Sequence, residues 1–237
     1  MTRLRGGRLI LILAAALGAT RASPAASDES SLAQAFWAGI DYLGLTFKAV
    51  GNLGAGADRG RVWIVDLATG ESRQASGADD LAWPVFGLDR STVFALRGKQ
   101  AVRLALPGGE IVPFGHEADW RKLVGIDGQG DLLGFVAGRP RAQPALMNEG
   151  GRLLLLPQPE TEQDRAHVSM LLQENHAYAD GRQLLVTRSQ RGGRGYDITF
   201  ATGASTKDLS DCGDDACGQP SLSPDGRYVL YIRASAH

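Results

Sequence analysis

From Arg61 onward, short apolar runs alternate with turn residues along the whole chain. Val62-Trp63-Ile64-Val65, Thr92-Val93-Phe94-Ala95-Leu96, Leu132-Leu133-Gly134-Phe135-Val136 and Gln183-Leu184-Leu185-Val186-Thr187 are each rich in aliphatic, aromatic or β-branched residues and are separated by Gly-, Asp- and Pro-containing stretches, the pattern of short strands. The clearest unit spans Gln219 to Arg233. Pro224-Asp225-Gly226 supplies turn chemistry, with a fixed φ, a side chain that bonds its own backbone, and a residue free to take positive φ. After it, Tyr228, Leu230 and Ile232 alternate with Val229, Tyr231 and Arg233, so both faces of the strand are largely apolar, as in a strand packed between sheets. A lone hairpin is not stable in water, so this one implies neighbours of the same kind.

Two series of turns recur. One falls at Asp89, Asp127-Gly128, Asp180-Gly181 and Asp225-Gly226, at intervals of 38, 53 and 45. The other falls at Thr69-Gly70, Gly108-Gly109, Gly150-Gly151 and Gly203, at intervals of 39, 42 and 52. The series interleave and stretch in the same place, and a period of about 40 to 45 residues with four strands per unit is β-propeller spacing. The signature at Pro220, Ser223, Pro224, Asp225 and Gly226, read with Arg227-Tyr228-Val229-Leu230-Tyr231, resembles the TolB-type, WD-like β-propeller repeat. That resemblance implies an exported, non-catalytic protein that holds another protein of the envelope or extracellular space.

The reading is therefore all-β: a propeller-like array of about four four-stranded blades, over 59–237. Trp83 to Asp89, Thr92 to Leu96, Ala101 to Leu106 and Glu110 to Phe114 form one blade, with Pro113 suited to an outer edge. The next runs from Trp120 to Pro157, with Leu132 to Val136 and Leu153 to Leu156 as strands. The third starts with a strand at Val168 to Leu172, behind a surface loop at Pro159 to Asp164, and continues through Gln183 to Thr187, Tyr196 to Phe200 and Lys207 to Leu209. The last hairpin lacks two strands, which Arg61 to Leu67 and Ser72 to Ala75 would supply. TolB-type families have six or more blades, so the alternative is a truncated or open array.

Residues 28–58 form an N-terminal extension. Leu32, Phe36, Ile40 and Leu43 at helical spacing predict a short helix; from Tyr42 to Val50, Leu43, Leu45 and Phe47 alternate as in a strand, the favoured reading, while Phe47 and Val50 also continue the helical stripe, and a glycine-rich loop follows, Gly51 to Gly60. Gly54 and Gly56 begin a dinucleotide fingerprint, but Arg59 occupies its last glycine position and a strand follows, so the phosphate-cradle reading fails. Residues 1–27 read as a secretory signal: Arg3, Arg5 and Arg8, an apolar run from Leu9 to Ala19, then small residues to Ser27. That run is too short for a stable span, which places the mature protein in the periplasm or outside the cell. Of the 25 Lys and Arg, four lie in the leader, together with none of the 26 Asp and Glu, leaving a charge of −5. An acidic exported domain is a poor partner for nucleic acid.

Chemistry-bearing residues change the picture little. Cys212 and Cys217 read as a local disulfide, with a metal site using neighbouring aspartates as the alternative. His116, His167, His176 and His237 match no metal-ligand spacing and read as isolated loop histidines. No G-x-S-x-G elbow is present. Asp127 to Asp131 starts like a calcium loop but lacks its downstream glutamate, and reads as a hairpin turn. Asp79-Asp80 and Asp214-Asp215 point apart, and Arg188 to Gly195 reads as a solvated loop rather than a nucleic-acid tract. No catalytic, cofactor or metal residue is assigned. The competing reading is an enzyme or small-ligand binder whose polar groups converge at the central channel from several blades, because propellers host both.

Overall fold

The computed structural model describes residues 29–46, 56–157, 159–189 and 194–235. Residues 1–28, 47–55, 158, 190–193 and 236–237, which include the expected leader, most of the expected glycine-rich loop and His237, lie outside the described residues. In chain order the elements are α1 (Glu29–Tyr42), β1 (Leu45–Thr46), β2 (Arg61–Asp66), β3 (Ser72–Gln74), β4 (Leu81–Phe86), β5 (Thr92–Arg97), β6 (Gln100–Ala105), β7 (Ile111–Pro113), β8 (Trp120–Ile126) and β9 (Leu132–Val136). They continue as β10 (Gln143–Met147), β11 (Leu153–Leu155), α2 (Glu162–Leu171), β12 (His176–Tyr178), β13 (Arg182–Arg188), β14 (Tyr196–Thr202), β15 (Ser205–Asp208), β16 (Ala216–Leu222) and β17 (Tyr228–Ala234).

These strands pair as four blades. Two are continuous in sequence, β4 to β7 and β8 to β11. The third runs β12 to β15, with β1 added to the edge of β12 that faces away from β13. The fourth takes β16 and β17 from the C-terminal end of the chain and β2 and β3 from the N-terminal part, with β17 and β2 antiparallel from Tyr228↔Asp66 to Arg233↔Arg61. The last hairpin and strands from the N-terminal part thus share one sheet, as the strand count required. A one-residue parallel bridge, Tyr196↔Ala216, joins the third blade to the fourth.

The turn residues explain the regularity. Ser223 Oγ accepts the N–H groups of Arg227 and Tyr228 at 3.1 and 2.9 Å and donates to Asp225 Oδ1 at 2.7 Å, so Ser223 and Asp225 lock the turn from inside. Gly226 sits at φ +70°, a conformation glycine adopts without steric cost. In the first blade Arg90 takes the equivalent conformation at φ +58°. Asp127 closes its own turn by accepting the N–H groups of Gln129 and Asp131, each at 2.8 Å, which is the hairpin reading of that acidic loop.

The core lies in the seams between blades. Val62, Ile64, Leu230 and Ile232 meet Phe86, Val93, Ala95 and Leu104 between the fourth and first blades. Val85, Phe94 and Leu96 meet Leu123, Ile126, Leu132 and Met147 between the first and second. The seam between the second and third is built differently: Phe36 and Ile40 of α1, together with Val168 and Leu171 of α2, pack among Leu133, Phe135, Leu146, Leu184 and Val186. Phe36 is fully buried, with its ring edge-on to Phe135 at 5.8 Å. Two helices therefore fill a seam that strands alone fill elsewhere.

The strand expected at Val168 to Leu172 is α2, and the loop expected at Pro159 to Asp164 already contains its first turn. Thr161 caps that helix by accepting the Asp164 N–H, and Glu162 and Asp164 place negative charge at its positive end. This local stabilisation, with Val168 and Leu171 one turn apart on the buried face, outweighs the alternation of Val168, Met170 and Leu172. The first strand of that blade is β12 instead. The expected strand from Tyr42 to Val50 is confined to Leu45–Thr46 among the described residues.

Cys212 and Cys217 form the expected disulfide, at the entry to β16. Buried Asp197 holds the same connection, accepting from Ser210 Oγ at 3.1 Å and from Cys212 N at 2.9 Å. Because β17 lies between β16 and β2, deleting Gly218 to His237 exposes the apolar strand β2 as an open edge. The expected outcome is loss of cooperative unfolding in denaturant titration; a truncated monomer with the parent's midpoint and slope would contradict the shared blade.

Candidate functional site at the propeller axis

In the first, second and fourth blades the first strand lies innermost, with β4 packed against both β8 and β16, whereas in the third β1 lies inside β12. Three of these strands carry irregular pairing: between Ala82 and Val85, between Trp120 and Lys122, and between Gly218 and Ser221. Such bulges re-aim side chains. Trp83 and Gln219 sit in them at φ +51° and +55°, a region costly for residues with a Cβ. The two are linked, since the Gln219 side-chain carbonyl accepts the Trp83 N–H.

The result is a polar cluster drawn from all four blades. Lys122 of β8 is 1% exposed; its Nζ donates to the Gln173 carbonyl, lies 3.5 Å from His176 Nε2, and stands 4.5 Å from the centre of the Trp83 ring. Glu174 accepts the Gly56 N–H at 3.1 Å. The Gln219 amide donates to the Ala57 and Asp58 carbonyls at 2.8 and 2.9 Å, tying the segment that leads into β2 to the same cluster.

Burial decides the charge states here. Desolvation pulls the Lys122 amine down to about 7, against the opposing pull of the Glu174 carboxylate. Glu174 is pushed up by burial, offset by the Gly56 N–H and by Lys122. His176 is held well below its ordinary value by burial and then by the neighbouring Lys122. The axis therefore accommodates a neutral imidazole beside an amine that sheds its proton far more readily than an exposed one.

The opposite end of the axis is open. The ends of the inner strands surround a recess of about 60 Å³ lined by Val85, Val124, Tyr178, Arg182, Ser221 and Ser223, with Tyr42 and Leu88 at its mouth. Tyr42 and Leu88 are 52% and 46% exposed, and Leu88 also borders a second recess of about 340 Å³ over the seam between the first two blades. On the same face a groove of about 900 Å³ runs between the fourth and first blades, bounded by Arg73, Arg90 and Arg227 with Asp66, Glu71 and Asp89. Arg90 pairs with Asp225 at 2.6 Å and Arg227 with Asp66 at 3.1 Å.

The residues singled out in the sequence are placed as follows. Ser223, Pro224, Asp225 and Gly226 form one turn on the open face, with Ser223 and Pro224 lining the axial recess, and Pro220 stands in the bulged part of β16. Cys212 and Cys217 lie away from the recess, in the blade-to-blade connection. His167 is edge-on to Trp37, while His176 is not an isolated loop histidine but part of the axial cluster. Lys122, Glu174, Gln219 and Trp83 were not singled out. Trp83, Glu174 and Gln219 each stand six residues before the turn aspartate of their blade, and that shared offset is the signal that marks the axial position. In the second blade the bulge passes the role to the next residue, Lys122.

No family model matches this chain, and no curated protein does. Its structure is similar to that of a putative TolB from Agrobacterium tumefaciens, with a TM-score of 0.37 and 15% identity over 74% of this chain and 62% of that one. It is also similar to TolB from Acinetobacter baumannii, with a TM-score of 0.36 and 13% identity over 76% of this chain and 50% of that one. The chain thus spans half to about three fifths of those two structures. The β-propeller domain of the Trilobed protease from Pyrococcus furiosus, titled as having an open velcro topology, is similar at a TM-score of 0.22 and 11% identity, over 79% of this chain and 80% of that one.

The Lys122 shift fixes the sign of a pH effect. In the folded state its pKa is near 7 against 10.5 ordinarily, so between these values the unfolded chain binds more protons and stability rises with pH. Replacing Lys122 with Met removes the charge at similar length. The expected outcome is a wild-type stability that climbs across this window while the Lys122→Met profile stays flatter; denaturant titrations at several pH values check it, and parallel profiles would contradict it.

Proposed function

We propose that the protein is an exported, non-catalytic β-propeller that binds another protein of the periplasm or cell envelope through its open axial face. One observation carries this reading: turns from separate blades gather around a recess at whose mouth Tyr42 and Leu88 stay half exposed, inside a rim of charged residues. An apolar centre with a polar rim is the anatomy of a protein interface. The turns are set by their own hydrogen bonds and the scaffold beneath them by the seams, so the face is rigid before a partner arrives. Export is supported by the leader pattern of residues 1–27 and by the Cys212–Cys217 bond, which persists in oxidising compartments. Among the described residues no helix is long and apolar enough to cross a membrane.

A photo-crosslinking residue at Leu88 or Tyr42 is expected to trap one discrete protein adduct in the producing cells. Leu88→Asp removes the adduct trapped from Tyr42 while leaving unfolding within about 0.5 kcal/mol of the parent, as for an ordinary surface change. Absence of an adduct from both positions would contradict the reading.

A further inference from the structure

Among the described residues the outer strand of every blade presents a free edge, and unprotected edges pair with other chains. Three of the four are protected in recognised ways. β3 consists of exposed Ser72, Arg73 and Gln74; β7 ends in Pro113; β15 carries Lys207 and Asp208. β11 is Leu153-Leu154-Leu155, with no charge and no proline within it, and Leu155 is 47% exposed.

The register of β11 shows which backbone groups are open. Asn148 N donates to Arg152 O and Leu156 N donates to Pro144 O, so hydrogen-bonded pairs alternate through Leu146↔Leu154. The N–H and C=O groups of Leu153 and Leu155 therefore face away from β10. Among the described residues β11 pairs with β10 alone. Where β11 ends, a groove of about 320 Å³ continues its line, walled by Trp37 and Ala33 of α1 and by Pro144, Leu156, Pro157 and Pro159, with the acidic side chains of Glu160 and Asp164 on its rim. Arg165 bonds the Glu160 backbone carbonyl and leaves that side chain to the rim. Arg152 stands at the other end of the strand.

We infer that β11 is a strand-addition site, which takes an extended segment of a partner protein as a fifth strand of the second blade, with an apolar side chain in the Trp37 groove and a basic side chain against Glu160 and Asp164. Alternating donors and acceptors on an open edge match an extended chain and no other backbone form. The acidic rim selects a basic residue at the groove end. This surface lies on the outer edge of a blade, apart from the axial recess, and stands or falls independently of the function proposed above.

The test uses a short fluorescent peptide of alternating valine and lysine, and the same peptide N-methylated at alternate residues so that it cannot donate to an edge. The full chain is expected to bind the first peptide and not the second. Leu155→Pro removes an outward N–H and leaves the β10 ladder intact, and is expected to weaken binding about tenfold, the loss of one backbone bond together with local fit. Glu160→Lys, at an exposed position before α2, weakens it as well without touching the strand or the helix cap, and covers the case in which the proline variant does not fold. Equal binding of both peptides, or binding unchanged in every variant, overturns the proposal. So does a concentration-dependent dimer abolished by Leu155→Pro, which would make a second copy of the chain the occupant.

Discussion

The pairing of β17 with β2 is the constraint on which the other features rest. It joins strands more than 160 residues apart in sequence, so the loop-closure cost falls on the whole chain and is recovered only when every intervening blade is in place. The strands are suited to this. Val62, Val65, Val229, Leu230, Tyr231 and Ile232 are all buried, which gives the shared sheet an apolar surface on both sides and two seams to fill. Gly60 lies against the Arg233 carbonyl so closely that a Cβ there would strike it, so the entry to β2 admits no larger residue without a backbone shift.

Once that blade is closed, the positions of the inner strands follow, and with them the axial cluster. Gln219 belongs to the same blade as the latch, and its side chain reaches both Trp83 of the first blade and the Ala57–Asp58 carbonyls that precede β2. One amide thus reads the relative position of two blades and the incoming chain. Lys122 and Glu174 extend the contact to the second and third. Buried polar groups of this kind add little net stability but penalise any arrangement that leaves them unpaired, which favours one blade register over slipped ones.

What was legible in the sequence was local. Ser223, Asp225 and Gly226 act within five residues of one another, so their pattern could be read and repeated along the chain, and the two turn series gave the blades and the shared fourth sheet. What was not legible depends on places where the chain departs from its own period. The bulge after Trp120 moves the axial role from Arg121 to Lys122, and nothing in the alternation of apolar residues announces it. The seam filled by α1 was missed because Phe36 and Ile40 announce only an amphipathic helix, not where it docks. At α2 the capping signal from Thr161 to Asp164 was present, but the strand expected by the repeat occupied the same residues.

The two ends of the axis are consequently under different physical control. At one end, Lys122, Glu174 and Gln219 are fixed by partners on several blades, and changing any one leaves another polar group without its bond. At the other, Tyr42 and Leu88 stay half exposed and the turns are tied across blades by surface ion pairs, Arg90 with Asp225 and Arg227 with Asp66, which contribute little to stability. The sheet shared by β16, β17, β2 and β3 supplies this division: it and the polar cluster determine how the blades sit, and the open face inherits that geometry. Contacts on that face can therefore change in chemistry with little effect on folding, whereas the cluster cannot.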